Sequence, residues 1–328
     1  MKHFLNLILV LIIVSLVGGC SSKKYFEPET VDGSYKAKSG TIGGEIIDFN
    51  KDGATLSNNT FITKDGIFPN KAGQGFLFIN KIDNNIISAD LSNNIAINEH
   101  IIPLDNIVIS ASVDKDILAV VYIDNSIAVY DIANKKTIFK EYIGESYGND
   151  TKVTNPVFMS ELILFPTLTG KVVVYSIENR NILREIIVDA SNKQFKNITF
   201  FDVVDEQLIA ATNNTMLSIG ANLYSQTFEI KDIATKDNKI FVATIDGQIF
   251  VMDNKLKPYN NKKFTFGKIF GLGFGANHVY AVESTGYIIK MDMDLKNSSV
   301  LNLSFDAEEK FIITGDKIYF GDRYIELE

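Results

Sequence analysis

The chain has 328 residues, 46% of them hydrophobic, and a formal net charge of −8 at pH 7. This length is enough for one large domain or two ordinary ones. Nucleic-acid binding is disfavoured, because neutralising phosphates needs clustered basic residues that a net negative chain of this kind lacks. With one cysteine and three histidines, the chain has no internal disulfide, and a multi-histidine metal site is not expected.

The N-terminus has the pattern of a secreted lipoprotein. Lys2 precedes an apolar run at residues 4–17, which is shorter than the roughly 20 residues needed to cross a bilayer. The VGGC sequence at residues 17–20 resembles the lipobox of bacterial lipoproteins. The resemblance implies a signal peptide at residues 1–19, cleavage, and acylation of Cys20 on its thiol and its new amino group. An ordinary secretory signal is the alternative.

A polar, turn-rich stretch follows the cysteine, and it predicts a lipidated tether at residues 20–44 ahead of a folded body at residues 45–328. A flexible coil of about 25 residues averages roughly 25–30 Å end to end, which keeps the body close to a membrane. By the same resemblance, Ser21 after the cysteine implies the outer membrane, with the anchored protein on its periplasmic side.

A β-hairpin pattern recurs along the rest of the chain. Its clearest copy is KIFVATIDGQIFVMD at residues 239–253, where apolar runs flank the Asp246-Gly247 turn. Gly suits the positive φ that a tight hairpin turn requires. The other copies have their turns about 40 residues apart, at Asn85, Asn125, Gly170, Asn214, Gly286 and Arg323. A hairpin repeated at this spacing is typical of propeller blades.

We therefore predict an all-β propeller of four-stranded blades, with seven blades and eight as the alternative count. One blade is predicted from strands at residues 268–274, 278–283, 287–291 and 298–303. The last blade ends after its third strand, and residues 45–49 are predicted to supply its outer strand, which closes the ring. Helix should be minor, because no segment shows a sustained helical period.

The repeat resembles the PQQ-type propeller repeat, most clearly at residues 240–253 and 279–292, where an Asp-Gly or Thr-Gly turn leads into an apolar strand ending in Met-Asp. Behind a lipobox, such repeats resemble the BamB class of outer-membrane lipoproteins. The resemblance implies a non-enzymatic scaffold that binds a protein of the β-barrel assembly machinery. The alternative is a surface or periplasmic receptor lipoprotein for a small molecule, a glycan or a host protein. The face of the ring that binds is left open.

The chain lacks a recognisable catalytic or cofactor site. A quinone-dependent dehydrogenase, the enzyme that the PQQ repeat implies, needs a Trp and adjacent cysteines, and the chain has neither. The Asp-x-Asp pairs at residues 114–116 and 292–294 lack the rest of a calcium loop and predict exposed turns. The glycines at residues 271–275 precede a strand, which predicts a crowded inner strand instead of a phosphate loop. No enzymatic activity, cofactor or metal is expected.

Overall fold

The computed structural model describes residues 25–146, 152–303, 305 and 309–328. These residues contain strands and turns but no helix, and therefore none of the length and hydrophobicity needed to cross a membrane. Within the same part of the chain, the strands form eight four-stranded antiparallel sheets. Consecutive sheets pack against each other around a ring, as the blades of a β-propeller.

The strands are numbered in chain order, and the first, β1 (Ser39–Thr41), belongs to the last blade. Blades 1 and 2 contain β2 (Ile46–Phe49), β3 (Gly53–Leu56), β4 (Thr60–Thr63), β5 (Gly66–Pro69), β6 (Leu77–Ile82), β7 (Asn85–Ala89), β8 (Asn94–Ile97) and β9 (His100–Pro103). Blades 3 and 4 contain β10 (Val108–Asp114), β11 (Ile117–Tyr122), β12 (Ser126–Asp131), β13 (Lys136–Tyr142), β14 (Val157–Met159), β15 (Leu162–Pro166), β16 (Lys171–Ser176) and β17 (Asn181–Ile187). Blades 5 and 6 contain β18 (Phe200–Val204), β19 (Gln207–Ala211), β20 (Thr215–Ile219), β21 (Leu223–Thr227), β22 (Ile230–Lys236), β23 (Lys239–Thr244), β24 (Gln248–Met252) and β25 (Pro258–Lys263). Blades 7 and 8 contain β26 (Ile269–Phe274), β27 (His278–Glu283), β28 (Tyr287–Asp292), β29 (Ser298–Asn302), β30 (Phe311–Thr314), β31 (Lys317–Phe320) and β32 (Arg323–Glu326), completed by β1.

The hydrophobic core lies between consecutive blades. Second and third strands such as β11 and β12 are buried almost continuously, because neighbouring blades cover both of their faces. Outer strands such as β13 are mostly exposed. One cluster joins Val121 and Ile127 of blade 3 to Phe165 and Tyr175 of blade 4. Each blade is therefore stabilised by its neighbours and could not bury its own faces alone.

Polar side chains of the inner strands also connect the blades. Ser110 Oγ in blade 3 donates a hydrogen bond to the carbonyl oxygen of Thr154, ahead of blade 4, at 2.7 Å. In the same way, Asp232 Oδ2 in blade 6 accepts a hydrogen bond from the backbone N–H of Leu272 in blade 7 at 2.8 Å. These bonds satisfy backbone groups near the centre of the ring and fix the relative height of adjacent blades.

The blade count is eight, the higher of the two predicted counts. The blade predicted at residues 268–303 is confirmed as β26 to β29. Two hairpins differ from the prediction. Arg323 begins β32, and the turn between β31 and β32 lies at residues 321–322. The turn at Asn85 joins the first and second strands of blade 2, whose central hairpin turns at residues 90–93 instead. The additional blade comes from the short strands β2 to β5. Its central hairpin, which turns at residues 57–59, has only a weak apolar pattern.

Ring closure is provided by β1, and the prediction that residues 45–49 supply the closing strand is wrong. β1 pairs antiparallel with β32, and Gly40 lies opposite Tyr324. The segment predicted for this role is β2, the inner strand of blade 1. The closing strand was not visible in the sequence, because an exposed outer strand of three residues needs only backbone hydrogen bonds and no apolar pattern.

The segment ahead of β1 is bound to the ring. Phe26 is buried, and its ring centroid lies 6.2 Å from that of Phe264 and 5.8 Å from that of Tyr287. The backbone N–H groups of residues 32 and 35 donate to carbonyl oxygens of β29, both at 2.8 Å. Residues 25–44, which the sequence assigns to the tether, therefore belong to the folded body.

Candidate binding face

One face of the ring carries both the turns between second and third strands and the connections between blades. We call it the turn face. Both kinds of segment share this face because successive strands of a blade alternate in direction. Connections of this kind lie on the surface, vary in length without disturbing the blades, and commonly carry binding residues. The turn face is therefore the candidate binding face of the ring.

Aliphatic side chains are exposed at equivalent tips of this face. Leu91, Ile123 and Ile245 are 73%, 40% and 54% exposed, in blades 2, 3 and 6. Each lies two residues before the left-handed residue of its turn, which has a φ of 71°, 64° or 80° (Asn93, Asn125 and Gly247). The hairpin does not need an apolar residue at this position. Exposed apolar groups clustered on one face are typical of interaction surfaces.

A groove opens on the turn face beside blades 4 and 5. The connection between these blades, residues 188–199, packs against the tip of blade 4 and leaves a groove of about 350 Å³. The groove is lined mainly by polar side chains: Glu145, Ser146, Leu168, Thr169, Ser191, Asn192, Lys193, Gln194 and Lys196. The sequence interpretation did not find it. The available signal was the length of this connection, which exceeds that of most others.

Gly170 at the tip of blade 4 holds this connection in place. Its carbonyl oxygen accepts hydrogen bonds from the N–H groups of Val188 at 2.9 Å and Asp189 at 3.1 Å. Gly170 has a φ of 78°, and a Cβ there would lie 3.0 Å from the carbonyl oxygen of Asp189. A side chain there would be both strained and crowded where the connection crosses the turn. The groove is built on a fixed backbone.

Asp189 is the electrostatic anchor of the connection. Its carboxylate is buried, and it accepts hydrogen bonds from the N–H of Ser191 at 2.8 Å and from the hydroxyl of Thr212 in blade 5 at 3.0 Å. Burial opposes ionisation, but these hydrogen bonds outweigh it and lower the pKa of the Asp189 carboxyl. The charged form therefore holds the connection to blade 5.

The groove offers hydrogen bonds and charge to a partner. Lys193 Nζ donates to the side chain of Asn214, and Lys196 Nζ donates to the carbonyl oxygen of Ser191 at 3.1 Å. Both lysines line the groove together with amide and hydroxyl side chains and with Glu145. Such a lining can bind a polar, mixed-charge segment of a protein surface.

Side chains from blade 1 cross the centre of the ring. Lys51 Nζ donates to Asp232 Oδ1 in blade 6 at 3.2 Å and lies 4.5 Å from the ring centroid of Phe200 in blade 5. Beside it, Asn155 Nδ2, ahead of blade 4, donates to Asp52 Oδ2 at 2.6 Å. The centre is therefore occupied by polar contacts that connect opposite sides of the ring.

Cys20, the predicted residue of lipid attachment, lies outside the described residues. His100 is in blade 2 and His278 in blade 7, so the structure does not bring them together. Among the described residues, no three His, Cys, Asp or Glu side chains are grouped so that they could hold a metal ion. The Asp-x-Asp pairs fall in or beside strand connections, where Asp292 accepts hydrogen bonds from backbone N–H groups of its own turn.

The glycine-rich stretch at residues 271–275 is confirmed as a crowded inner strand. It falls in β26, next to blade 8. A Cβ on Gly273 would lie 2.5 Å from Cγ2 of Ile313 and 2.7 Å from Cδ1 of Leu327. These glycines allow close packing of blades 7 and 8 and do not form a phosphate loop.

Comparison with known proteins shows similarity along nearly the whole chain. No family profile matches the sequence. The plasminogen-binding protein PgbB of Helicobacter pylori, from strains J99 and 26695, is 28% identical to it. The similarity covers 98% of this chain and 69% of the relative.

Solved propellers match the ring as a whole. BamB from Moraxella catarrhalis has a TM-score of 0.64 at 10% identity, covering 88% of this chain and 100% of that one. The C-terminal WD40 domain of Sif2 has a TM-score of 0.60 at 11% identity, covering 90% and 100%. The predicted resemblance to BamB is confirmed in its fold. At such identities the match to solved structures establishes the propeller architecture alone, which is the architecture of this chain.

Proposed function

We propose that this chain is a non-enzymatic lipoprotein that binds a protein partner on its turn face, and that the partner is plasminogen. The observation that carries the proposal is the similarity to PgbB, which spans 98% of the chain and so includes every blade. A ring that gathers exposed aliphatic tips and a preformed polar groove on one face supports the same conclusion. Quinone chemistry finds no support, because the residues that the PQQ repeat would need are absent from the sequence.

The groove is the part of the turn face best suited to this role. Its backbone is held by hydrogen bonds to blades 4 and 5, so little ordering is needed on binding. The aliphatic tips of blades 2 and 3 lie on the same face and add apolar area to a polar groove. Protein interfaces commonly combine such an apolar part with a polar, hydrogen-bonding rim.

Plasminogen binding is tested with the purified mature protein on an immobilised-ligand sensor, with serum albumin as the negative ligand. Replacing Asn192 and Gln194 together with Ala should weaken binding about tenfold or more, because each lost hydrogen-bonding group at a buried contact costs on the order of 1 kcal/mol. The matched control replaces Asn222 and Gln226 with Ala, which are exposed residues of the turn before β21 and of β21 itself and do not line the groove. The control variant should bind as tightly as the wild type.

A second candidate is a barrel-assembly scaffold on the periplasmic side of the outer membrane. It is supported by the lipobox-like sequence together with the BamB-like fold. The two candidates need opposite orientations, since a partner from outside the cell can be reached only from the outer surface. If plasminogen does not bind and crosslinking in intact envelopes recovers a barrel-assembly component, the second candidate replaces the first. Loss of barrel proteins in a deletion strain would agree with that outcome.

The proposed anchor is the acylated Cys20. Cys20→Ala should leave an uncleaved or unlipidated protein that takes up no labelled fatty acid, because the thiol that would carry the acyl chains is absent. Fatty-acid labelling followed by mass spectrometry of the N-terminal peptide checks the result. Ser21→Ala, next to it in the chain, is the control that should still be acylated. Normal labelling of Cys20→Ala would exclude the anchor.

A further inference from the structure

The chain enters the ring at one corner of the turn face, beside blades 6 and 7. Phe26 is fixed there by ring contacts with Phe264 and Tyr287. Tyr25 therefore has a defined place on the surface. Cys20 precedes it by five residues, and an extended chain spans at most about 3.6 Å per residue, or about 18 Å in all. The entry corner cannot lie farther than this from the point where Cys20 is anchored.

This limit is short compared with the ring itself. A compact domain of about 300 residues has a radius of gyration of about 19 Å. The opposite side of the ring is therefore about twice this radius away from the entry corner. A tether of 25 residues would allow any orientation. A link of five residues, starting from a fixed residue, keeps the corner at blades 6 and 7 at the membrane.

The surface at this corner has the composition of a membrane-interface surface. Tyr25, Ile245 and Phe266 are 54%, 54% and 47% exposed. Lys268 is exposed beside them, as is Lys263, whose ammonium group pairs with the Asp246 carboxylate. We call these five residues the entry patch. Aromatic and aliphatic side chains with flanking lysines are typical of surfaces that lie in the headgroup region of a bilayer.

The members of the entry patch are held together by the backbone. The N–H of Phe264 donates to the carbonyl oxygen of Gly247, and the N–H of Gly267 donates to that of Phe264, both at 2.8 Å. The first bond fixes the connection that carries residues 263–268 against the turn that carries Ile245, and the second closes a turn within that connection. The ring of Phe26 on Phe264 then places Tyr25, its neighbour in the chain, beside this connection.

We propose that the entry patch rests on the lipid surface in which Cys20 is anchored, so that the ring stands with blades 6 and 7 toward the membrane. This inference depends on the acylation of Cys20 given in the proposed function. Blades 2 to 4 are then directed away from the bilayer. In this orientation the outer half of the turn face stays open to a protein partner while the anchored corner is covered by lipid.

The absence of tryptophan from the chain allows a direct test. Single tryptophans are introduced as Ile245→Trp in the entry patch, Leu91→Trp at the equivalent turn position of blade 2, and Leu223→Trp at the opposite face. Each acylated mature protein is reconstituted in vesicles of neutral and anionic lipids that carry a quencher on their acyl chains. Quenching of Ile245→Trp should be about threefold stronger than that of the other two variants, since an interfacial residue reaches the acyl boundary.

Controls separate this inference from its premise and from the binding function. Mass spectrometry of each protein first establishes acylation, and an unacylated Cys20 overturns the inference. Adding Phe266→Ser and Lys268→Glu to the Ile245→Trp protein should reduce its quenching to the level of Leu91→Trp. Equal quenching at all three positions, or stronger quenching at Leu91→Trp, contradicts the orientation. If the added changes weaken plasminogen binding in the absence of vesicles and leave quenching unchanged, the patch is a protein-binding surface instead.

Discussion

A chain that begins at residue 45 is expected to lose the closed ring and its cooperative unfolding. It lacks β1, so the edge of β32 loses its hydrogen-bonding partner from Arg323 to Ile325. It also loses Phe26 and the backbone bonds to β29. Opening a ring removes mutual support from every blade, and we expect a loss on the order of 5 kcal/mol and a fall in Tm of about 10 °C. Thermal unfolding followed by circular dichroism measures the fall in Tm.

The matched control begins at residue 36 and keeps β1. It loses the contacts of Phe26 and of residues 32–35 but leaves the closure of blade 8 intact. Its Tm should fall by less than half as much as that of the shorter chain. Size-exclusion chromatography should show association only for the chain without β1, because an uncovered strand edge pairs with other copies. Equal destabilisation of the two chains would mean that closure by β1 contributes little.

Replacement of Gly247 is expected to be the most damaging single change in a turn. Gly247 has a φ of 80°, and a Cβ there would lie 2.4 Å from the carbonyl oxygen of Phe264 and 2.7 Å from that of Gly267. Both contacts are with backbone atoms, which cannot rotate away. Gly247→Val should therefore lower the free energy of unfolding by about 3 kcal/mol or more, as backbone strain and a steric clash add together. Urea unfolding with a fixed m-value gives the difference.

Gly286 provides the control, since it is at the equivalent turn of blade 7 with a φ of 95°, and a Cβ there would have no neighbouring atom within 4 Å. Gly286→Val should show the strain alone, about 1–2 kcal/mol. Gly247→Asn should also be milder than Gly247→Val in strain, because Asn125 adopts the same conformation in blade 3 with a φ of 64°. If the valine variants at both glycines lose the same stability, the close backbone contacts at Gly247 are not what makes it sensitive.

The turn at Gly247 also connects stability with orientation. It carries Ile245 of the entry patch and binds the connection on which Phe26 packs. A change at this turn that leaves the ring folded should therefore shift the chain entry and leave the groove at blades 4 and 5 in place. On the proposed function, the plasminogen affinity of a folded Gly247 variant is expected to remain close to that of the wild type.

Much of the repeat could be predicted from local sequence. The Asp246-Gly247 turn between apolar runs predicts a hairpin because both the positive φ and the buried strands are set by neighbouring residues. The same reasoning identified the inner strand at residues 271–275, where the glycines leave room for blade 8. It also indicated eight blades as an alternative, although the weak apolar pattern of β2 to β5 concealed one of them.

The sequence by itself thus determined the all-β repeat, its hairpin turns and the lipobox-like segment that ends at Cys20. The tertiary structure alone decided which strand closes the ring, since Ser39–Thr41 is selected by the open edge of β32 and not by its own side chains. It also decided that Phe26 belongs to the folded body, because the pocket that buries it is formed by residues more than 230 positions away. The groove at residues 188–199 has the same origin: hydrogen bonds to two different blades shape it, and neither is visible in the local pattern.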